Sequence, residues 1–353
     1  MTPIHFDIPP LDTEASDLAR QRQNTLTKPA GSLGLLEDIA CRMAAIQGTP
    51  RPQIGQQWVV VAAADHGVAA EGVSAYPAEV TAQMVANFLS GGAAVSVLAR
   101  CADARLAIVD AGIAGDVPGD TSALRRMSLG KGTHNMARGP AMSPEQAEQA
   151  IVQGAELARE LAGNGAKIIA IGEMGIANTT AASAITSVIT VRPPGDVTGR
   201  GTGIDNSGLA RKIGVIMRAL TVNRPDRMDA MNVLASVGGF EIGLLAGVML
   251  GAAEQRVAVV LDGFISTAAG LIAHGIDPRV LDYTFASHLS VEPGHALALS
   301  HMGLRTILDL EMRLGEGTGA VMGMQIIHNA VSLHNEMATF EEALVSQRDE
   351  GGA

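Results

Sequence analysis

Short apolar segments that end in acidic, histidine, serine or glycine residues recur along the chain. They occupy positions 58–64, 106–109, 167–171, 257–261 and 283–286. A nearly continuous apolar run of this length is typical of a strand that is covered on both faces, as strands of a parallel sheet are. The pattern therefore predicts a set of buried parallel strands.

Helical patterns lie between these strands and are clearest over residues 78–100 and 143–162. Ser143 and Pro144 indicate where the second helix begins, because serine caps a helix well and proline suits its first position. Strands that alternate with helices predict an α/β fold in which helices flank a parallel sheet.

The two ends of the chain differ from the middle. Residues 1–30 and 304–345 carry helical patterns and no strand pattern, so we predict that they form a small helical domain. Residues 31–303 then make up the α/β domain. The polar segment 346–353 contains two glycines near its end and is predicted to be a frayed tail.

Composition limits the kind of partner. Hydrophobic residues make up 47% of the 353 residues and charged ones 17%, which favours a sizeable core. The net charge of −11 disfavours nucleic-acid binding, because that affinity depends on lysine and arginine neutralising phosphates. An anionic substrate must therefore be held by local donors, such as one lysine and backbone N–H groups.

The sequence also predicts a cytoplasmic protein. The two cysteines, Cys41 and Cys101, lie outside any CxxC motif, which fits a reducing compartment. The N-terminus shows no basic and apolar pattern of a signal peptide. The longest charge-free apolar run, 242–253, has 12 residues, and a bilayer needs about 20. No membrane partner is predicted.

Polar residues follow several of the predicted strands. In parallel sheets ligands bind at the carboxyl ends of strands, so these residues predict a site at that edge. They are Asp65, His66, Asp110, Glu173, Asp262 and Ser287. Whether Asp65, His66 and Asp262 bind substrate or are structural stays open at this stage.

Glu316 lies between Gly315 and Gly317, near the C-terminus. Glycines on both sides allow a sharp turn and the close approach of a ligand. A ligand that removes water from this carboxylate would raise its pKa and make it a better base. The simpler interpretation is an exposed glutamate at the C-terminal end of a helix.

Two further features suit an anion. Gly175 and the N–H groups after it follow a strand and open a helix, where anions bind well. The alternative is an ordinary turn in which Asn178 or Thr179 caps the helix. Lys212 lies on a predicted helix and is a candidate phosphate contact, against the alternative of a solvated surface lysine.

Other chemistries have little support. Of the nine histidines, His295 and His301 are six residues apart, as are His328 and His334, whereas helical metal ligands are spaced by three or four. The sequence has no GxSxG elbow and no phosphate-binding GxxxxGK[ST] loop. We therefore predict no metal, no cofactor and no covalent nucleophile.

Several segments together resemble one family, that of nicotinate-nucleotide–dimethylbenzimidazole phosphoribosyltransferase. The resemblance extends from about residue 20 to about residue 340, and its order and number of motifs make it specific. The segments are 26–34, 64–68, 71–73, 172–180, 237–240, 261–264 and 313–319.

The resemblance implies a Rossmann-like α/β domain, a small domain built from both termini, and usually a homodimer. It implies transfer of the 5-phosphoribosyl group of nicotinate mononucleotide to 5,6-dimethylbenzimidazole, a pentosyl transfer that supplies the lower ligand of cobalamin. Glu316 matches the family's general base. The remaining site residues that the family implies are Gly175, Lys212 and Gly315 for phosphate, Glu173 for ribose, and Tyr76, Met84 and Leu314 for the acceptor base.

The preferred acceptor stays open between dimethylbenzimidazole, another benzimidazole and adenine, because Tyr76 and Met84 differ from some family members. Two alternative functions also stay open. A dinucleotide-dependent oxidoreductase needs a GxGxxG after the first strand, where Asp65-His66-Gly67 stands instead. A non-catalytic nucleotide-binding protein would lack turnover.

Overall fold

The computed structural model describes residues 4–346. The helices are α1 Thr13–Thr25, α2 Leu35–Gln47, α3 Val80–Leu89, α4 Ala94–Cys101, α5 Pro144–Gly163, α6 Asn178–Thr190, α7 Pro194–Val197, α8 Asn206–Asn223, α9 Ala230–Val237, α10 Phe240–Glu254, α11 Phe264–Ile276, α12 Pro293–Met302 and α13 Thr318–Glu336. The strands are β1 Gln56–Ala64, β2 Arg105–Gly112, β3 Arg125–Arg126, β4 Ala166–Met174, β5 Ala258–Leu261, β6 Thr284–Leu289 and β7 Thr306–Asp309. Two 3₁₀ helices cover Gly67–Glu71 and Pro278–Tyr283.

The strands form one seven-stranded sheet in the order β3-β2-β1-β4-β5-β6-β7. Every neighbouring pair runs parallel. The predicted strands are confirmed as β1, β2, β4, β5 and β6, and central residues such as Val59, Ile169 and Val260 are fully buried. Helices flank the sheet, so the predicted α/β class is confirmed.

The start of α5 is confirmed in detail. The Ser143 hydroxyl accepts from the Gln146 N–H at 3.2 Å, and the Gln146 side chain accepts from the Ser143 N–H at 3.0 Å. Pro144 occupies the first helical position. This reciprocal capping box satisfies two N–H groups that a helix start otherwise leaves unpaired.

Two sequence predictions were wrong. The helix expected over 78–100 is divided into α3 and α4, because Gly91 adopts φ +80° at the break. Strand β7 lies within 304–345, where only helices were expected. Its residues are partly exposed, since it forms the edge of the sheet beyond β6. An edge strand therefore lacks the continuous buried run that predicted the others.

One segment of the described chain has the length and hydropathy of a membrane span, Val80–Cys101 with 22 residues. It comprises two helices, α3 and α4, with a break between them. The longest charge-free apolar run belongs to α10 instead, which is buried on all sides from Phe240 to Ala253. Such a helix is expected inside a large core.

The described residues divide into two compact units. The larger contains residues 4–9 and Gly55–Gly323, and the smaller contains Pro10–Ile54 and residues 324–346. In the smaller unit Ala19 of α1 packs with Cys41 and Ala44 of α2. Also within it, the Arg22 guanidinium donates to the carbonyls of His334, Asn335 and Met337.

These boundaries differ from the predicted 1–30 and 304–345. Helix α2 joins the smaller unit because its apolar face packs on α1, and residues 304–323 join the larger unit, where β7 pairs with β6. Of the tail predicted to be frayed, residues 347–353 lie outside the described part of the chain.

Candidate active site

A cavity of about 260 Å³ lies at the carboxyl ends of β4 and β6 in the larger unit. Its wall contains six of the predicted site residues, namely Tyr76, Glu173, Gly175, Leu314, Gly315 and Glu316. Among the described residues, Lys212 and Met84 are not part of the wall. Parallel strands thus bring together residues that lie far apart in the sequence, at the edge where ligands were expected.

Glu316 occupies a turn of three residues with left-handed backbone. Gly315, Glu316 and Gly317 have φ values of +85°, +65° and +89°. The turn leads into the start of α13, so the interpretation of Glu316 as an exposed residue at a helix C-terminus is wrong. The Glu316 side chain is buried, with 6% of the residue exposed.

The Glu316 carboxylate combines an oxygen that is unpaired within the described chain with a raised pKa. Its Oε2 atom has no hydrogen-bond partner among residues 4–346. Burial raises the pKa of Glu316, and the backbone N–H of Val95 offsets only part of this effect. Glu316 lines the cavity, and a carboxylate with a raised pKa and an unpaired oxygen is suited to accept a proton.

Strand β4 passes directly beneath this turn. A Cβ atom on Gly172 would clash with the Gly317 nitrogen, so a residue with a side chain could not pass there. The next residue, Glu173, points its Oε1 to within 2.5 Å of where a Gly315 Cβ would be. The close packing therefore places the Glu173 carboxyl group beside the Glu316 turn.

The carboxyl group of Glu173 has a pKa far above that of an ordinary glutamate. Burial raises the pKa of Glu173 to about 8, and the nearby carboxylates of Asp262 and Glu241 add to the effect. The Asn178 side-chain amide donates a hydrogen bond to its Oε2 and acts in the opposite direction. At neutral pH Glu173 is therefore largely protonated, and its carboxyl group can donate a hydrogen bond as well as accept one.

The start of α6 faces the cavity through residues 175–179. The N-cap is Ala177, with φ +75°, so the alternative in which Asn178 or Thr179 caps the helix is wrong. The Asn178 side chain is bonded to Glu173 instead. A helix start without a side-chain cap carries a partial positive charge that suits an anion. Its N–H groups are partly used already, since Ile176 donates to the Thr81 hydroxyl and Asn178 to the Gly175 carbonyl.

Lys212 lies just behind this wall. Its Nζ donates to the Thr179 hydroxyl at 2.7 Å and lies 3.3 Å from where a Gly201 Cβ would be. The residue is 1% exposed, so the interpretation as a solvated lysine is wrong. Burial lowers the pKa of Lys212 to about 8, against the opposing effect of Glu292. Thr179 and Gly201 both line the cavity, so the ammonium group lies next to the cavity wall.

Comparison with known proteins decides the family. A sequence model of the family described as "Phosphoribosyltransferase" matches residues 8–345. The nicotinate-nucleotide–dimethylbenzimidazole phosphoribosyltransferase of Chloroflexus aggregans is 54% identical over 343 residues, 97% of each chain. That of Chloroflexus aurantiacus is 56% identical over 341 residues, again 97% of each chain. This chain belongs to that family.

A crystal structure of the family member from Thermus thermophilus has the same fold. Its TM-score to this chain is 0.89 at 47% identity, and the match covers 96% of this chain and all of the other. The family and the fold class that the sequence motifs predicted are therefore confirmed. The roles of individual site residues stay predictions.

Sequence reasoning missed several residues that line or adjoin this cavity. Glu292 accepts from the Gly201 N–H at 3.0 Å, and Thr202 bonds the Ser74 hydroxyl at 3.3 Å. Other cavity residues that were not predicted are Asn178, Thr179, His288, Ser290 and Arg313. Glu292 and His288 could have been found, because both lie at or just after the end of a buried strand.

Asp65 and His66, which also follow a strand, lie outside the described cavity wall. Asp65 Oδ2 accepts from the Ala114 N–H at 2.8 Å, and His66 Nε2 bonds Glu241 at 2.7 Å. Burial opposes protonation of His66, but the Glu241 carboxylate outweighs it and raises the pKa of His66. Both side chains thus bind within the protein, at the end of β1.

The described residues, 4–346, contain no group of three or more His, Cys, Asp or Glu side chains arranged to hold a metal ion. His295 is fully buried between the Ser290 N–H, at 2.9 Å, and the Thr267 hydroxyl, at 3.0 Å. Burial lowers the pKa of His295 to about 3. It is therefore a neutral structural residue.

Proposed function

We propose that this chain transfers the 5-phosphoribosyl group of nicotinate mononucleotide to 5,6-dimethylbenzimidazole, giving nicotinate and α-ribazole 5′-phosphate. The observation that carries the proposal is a buried carboxylate with a free oxygen, Glu316, in the same cavity as an uncapped helix start. The Glu316 carboxylate suits removal of a proton from a ring nitrogen of the acceptor. The helix start suits binding of the phosphate of the donor.

In this proposal nicotinate mononucleotide, the donor, binds in the deeper part of the cavity. The 5′-phosphate lies against Gly175, the start of α6 and Gly315, with the Lys212 charge behind Thr179. The protonated carboxyl of Glu173 binds a ribose hydroxyl. These contacts supply positive potential locally, in a chain whose net charge is −11.

The reaction is a single displacement. One ring nitrogen of the benzimidazole attacks the anomeric carbon as the bond to nicotinate breaks, and its electrons pass to the pyridinium nitrogen. Glu316 accepts the proton from the other ring nitrogen, so positive charge does not build up on the incoming ring. Attack on the face opposite the leaving group inverts the anomeric centre from β to α.

Mass spectrometry of the products tests the function directly. Nicotinate mononucleotide is offered with an equimolar mixture of dimethylbenzimidazole, benzimidazole and adenine. We expect release of nicotinate and the mass of α-ribazole 5′-phosphate. Turnover would rule out a non-catalytic nucleotide-binding protein, whereas absence of any new riboside 5′-phosphate would refute the transfer.

An NAD-dependent oxidoreductase is the rival enzyme. Strand β1 is followed by Asp65-His66-Gly67 rather than by a glycine-rich pyrophosphate loop, and both Asp65 and His66 are bonded within the protein. We therefore expect NAD to leave the thermal unfolding temperature unchanged, while nicotinate mononucleotide raises it. Stabilisation by NAD alone would favour the rival.

The pH dependence of kcat/KM should be bell-shaped. The base Glu316 must be ionised, so its raised pKa sets an acid limb above the usual 4.5 of glutamic acid. Lys212 must be protonated, so phosphate binding weakens as the pH rises through about 8. Glu173 titrates in the same range, and loss of the alkaline limb in Lys212→Ala would assign it to the lysine. An alkaline limb that persists in this variant would assign it to another group.

Acceptor choice is proposed to lie with Tyr76 and Leu314 at the cavity mouth, and with Met84. Tyr76 is 55% exposed, whereas Met84 on α3 is half-buried and is not part of the described cavity wall. We expect Tyr76→Ala to change the ratio of kcat/KM between dimethylbenzimidazole and adenine more than Met84→Gln does. Equal ratios in wild type and both variants would move the acceptor pocket elsewhere.

The proposal also covers the cellular location and the oligomeric state. The chain acts on small molecules in the cytoplasm, and it assembles as a homodimer. Sedimentation equilibrium measures the second directly, and a mass of about 36.3 kDa at micromolar concentration would contradict it.

A further inference from the structure

Asp262 lies at the end of β5 and is 1% exposed. Its Oδ2 accepts from the Gly317 N–H at 3.1 Å, and its Oδ1 accepts from the Ala320 N–H at 3.0 Å. The carboxylate thus bonds the backbone on the C-terminal side of Glu316 and the first turn of α13. It lies outside the described cavity wall and is directed at this turn.

The turn needs such support. Glu316 has φ +65°, a conformation that residues with a side chain adopt at a cost in energy and keep only where neighbouring structure imposes it. One restraint is local, since Thr318 donates both its N–H, at 3.1 Å, and its hydroxyl, at 2.8 Å, to the Gly315 carbonyl. Another comes from Asp262, which follows strand β5.

We propose that Asp262 is a positioning residue for the transfer reaction, which holds the Glu316 carboxylate in place through the N–H groups of Gly317 and Ala320. The inference rests on the proposed function and deepens it. Asp262 does not touch the substrates. It fixes the backbone from which the proposed base projects, and a displacement of about 1 Å at a catalytic group can cost roughly 10²-fold in rate.

This position suits a side chain with two accepting oxygens, although burial raises the pKa of Asp262 to about 7. Both oxygens accept from N–H groups that point at it from the same helix start. An asparagine keeps one accepting oxygen but directs an NH₂ group at the other N–H, so one donor faces another. His288 is not a cationic partner of Asp262, because its Nδ1 is 4.0 Å from the Asp262 Oδ1 and burial lowers the pKa of His288.

The first test is Asp262→Asn. We expect kcat to fall by about 10- to 100-fold and KM for nicotinate mononucleotide to rise by less than this, since Gly175 and the start of α6 lie on a separate element. The loss should be largest with weakly acidic acceptors and smaller with acceptors whose ring N–H is more acidic, because these depend less on a base. The matched control is Asp229→Asn, at the aspartate that caps α9, which should keep wild-type kinetics.

A loss of equal size for every acceptor, or a wild-type kcat, would overturn the assignment. If Asp262→Asn does not fold, Thr318→Val removes a side-chain restraint on the same turn, the hydroxyl bond to Gly315, and should give a smaller loss with the same dependence on the acceptor. Adding either change to Glu316→Gln should lower kcat little further, because a base that is absent cannot be misplaced. Full additivity of the two losses would contradict a role through Glu316.

These outcomes stay distinct from the proposed function itself. Wild-type protein that forms no α-ribazole 5′-phosphate would refute the function. Wild-type turnover together with an acceptor-independent loss in the folded variant would refute only the role of Asp262.

Discussion

Replacing Glu316 with glutamine is expected to lower kcat by roughly 10²–10⁴-fold, the usual range for loss of a general base. Glutamine keeps the shape of the side chain and its hydrogen bonding, but it cannot accept the proton. KM for both substrates should change little, because the contact with Glu316 strengthens only as the proton moves. Initial rates at saturating substrates measure the effect.

The matched control is Glu311→Gln, an exposed glutamate five residues earlier that also has a positive φ. It should keep wild-type kcat. In Glu316→Gln a more acidic acceptor should recover part of the lost rate, because less proton removal is then required. Near-normal kcat in a folded Glu316→Gln protein would refute the assignment, and Glu173 would be the next carboxylate to replace.

Replacing Lys212 with alanine is expected to weaken binding of nicotinate mononucleotide by about 1.5–3 kcal/mol, the range for a hydrogen bond to a charged group. This corresponds to an increase in KM of about 10- to 150-fold. The reason is the position of the ammonium group, 2.7 Å from Thr179 at the start of α6. Steady-state kinetics with varied donor concentration measure the change.

The matched control is Lys131→Ala, at an exposed lysine outside the described cavity wall, which should leave KM unchanged. Circular dichroism must show that Lys212→Ala is folded, because the change also empties a buried site. A folded Lys212→Ala protein with the wild-type KM would show that the lysine only supports Thr179 and contributes no charge to phosphate binding.

The sequence predicted the central sheet well but not its edges. Strands β1, β4 and β5 are apolar on both faces, and this pattern is local and visible in the residues themselves. Strand β7 is partly exposed, and β3 has only two residues, Arg125–Arg126. Edge strands are defined by the neighbour they pair with, which no local pattern records.

The candidate site, like the sheet, was predicted only in part from the sequence. The glycines around Glu316 indicated a turn, and the structure has one, but the sequence did not indicate that the carboxylate is buried. Lys212 reads as an ordinary helix lysine, and only the packing of α8 and α6 buries it beside Thr179. Glu292 was missed because its role depends on a loop some 90 residues away, which it bonds through Gly201.

By itself the sequence determined the buried strands, the capped start of α5, the family and the glycine turn that carries Glu316. Those features depend on backbone preference and on which faces are apolar, and both are properties of neighbouring residues. The tertiary structure alone decided that Asp262 binds the turn 55 residues later and that Glu173 lies beside Gly315. Such contacts depend on β4 and β5 being adjacent in the sheet, and the order of strands follows from packing the whole unit rather than from any segment of it.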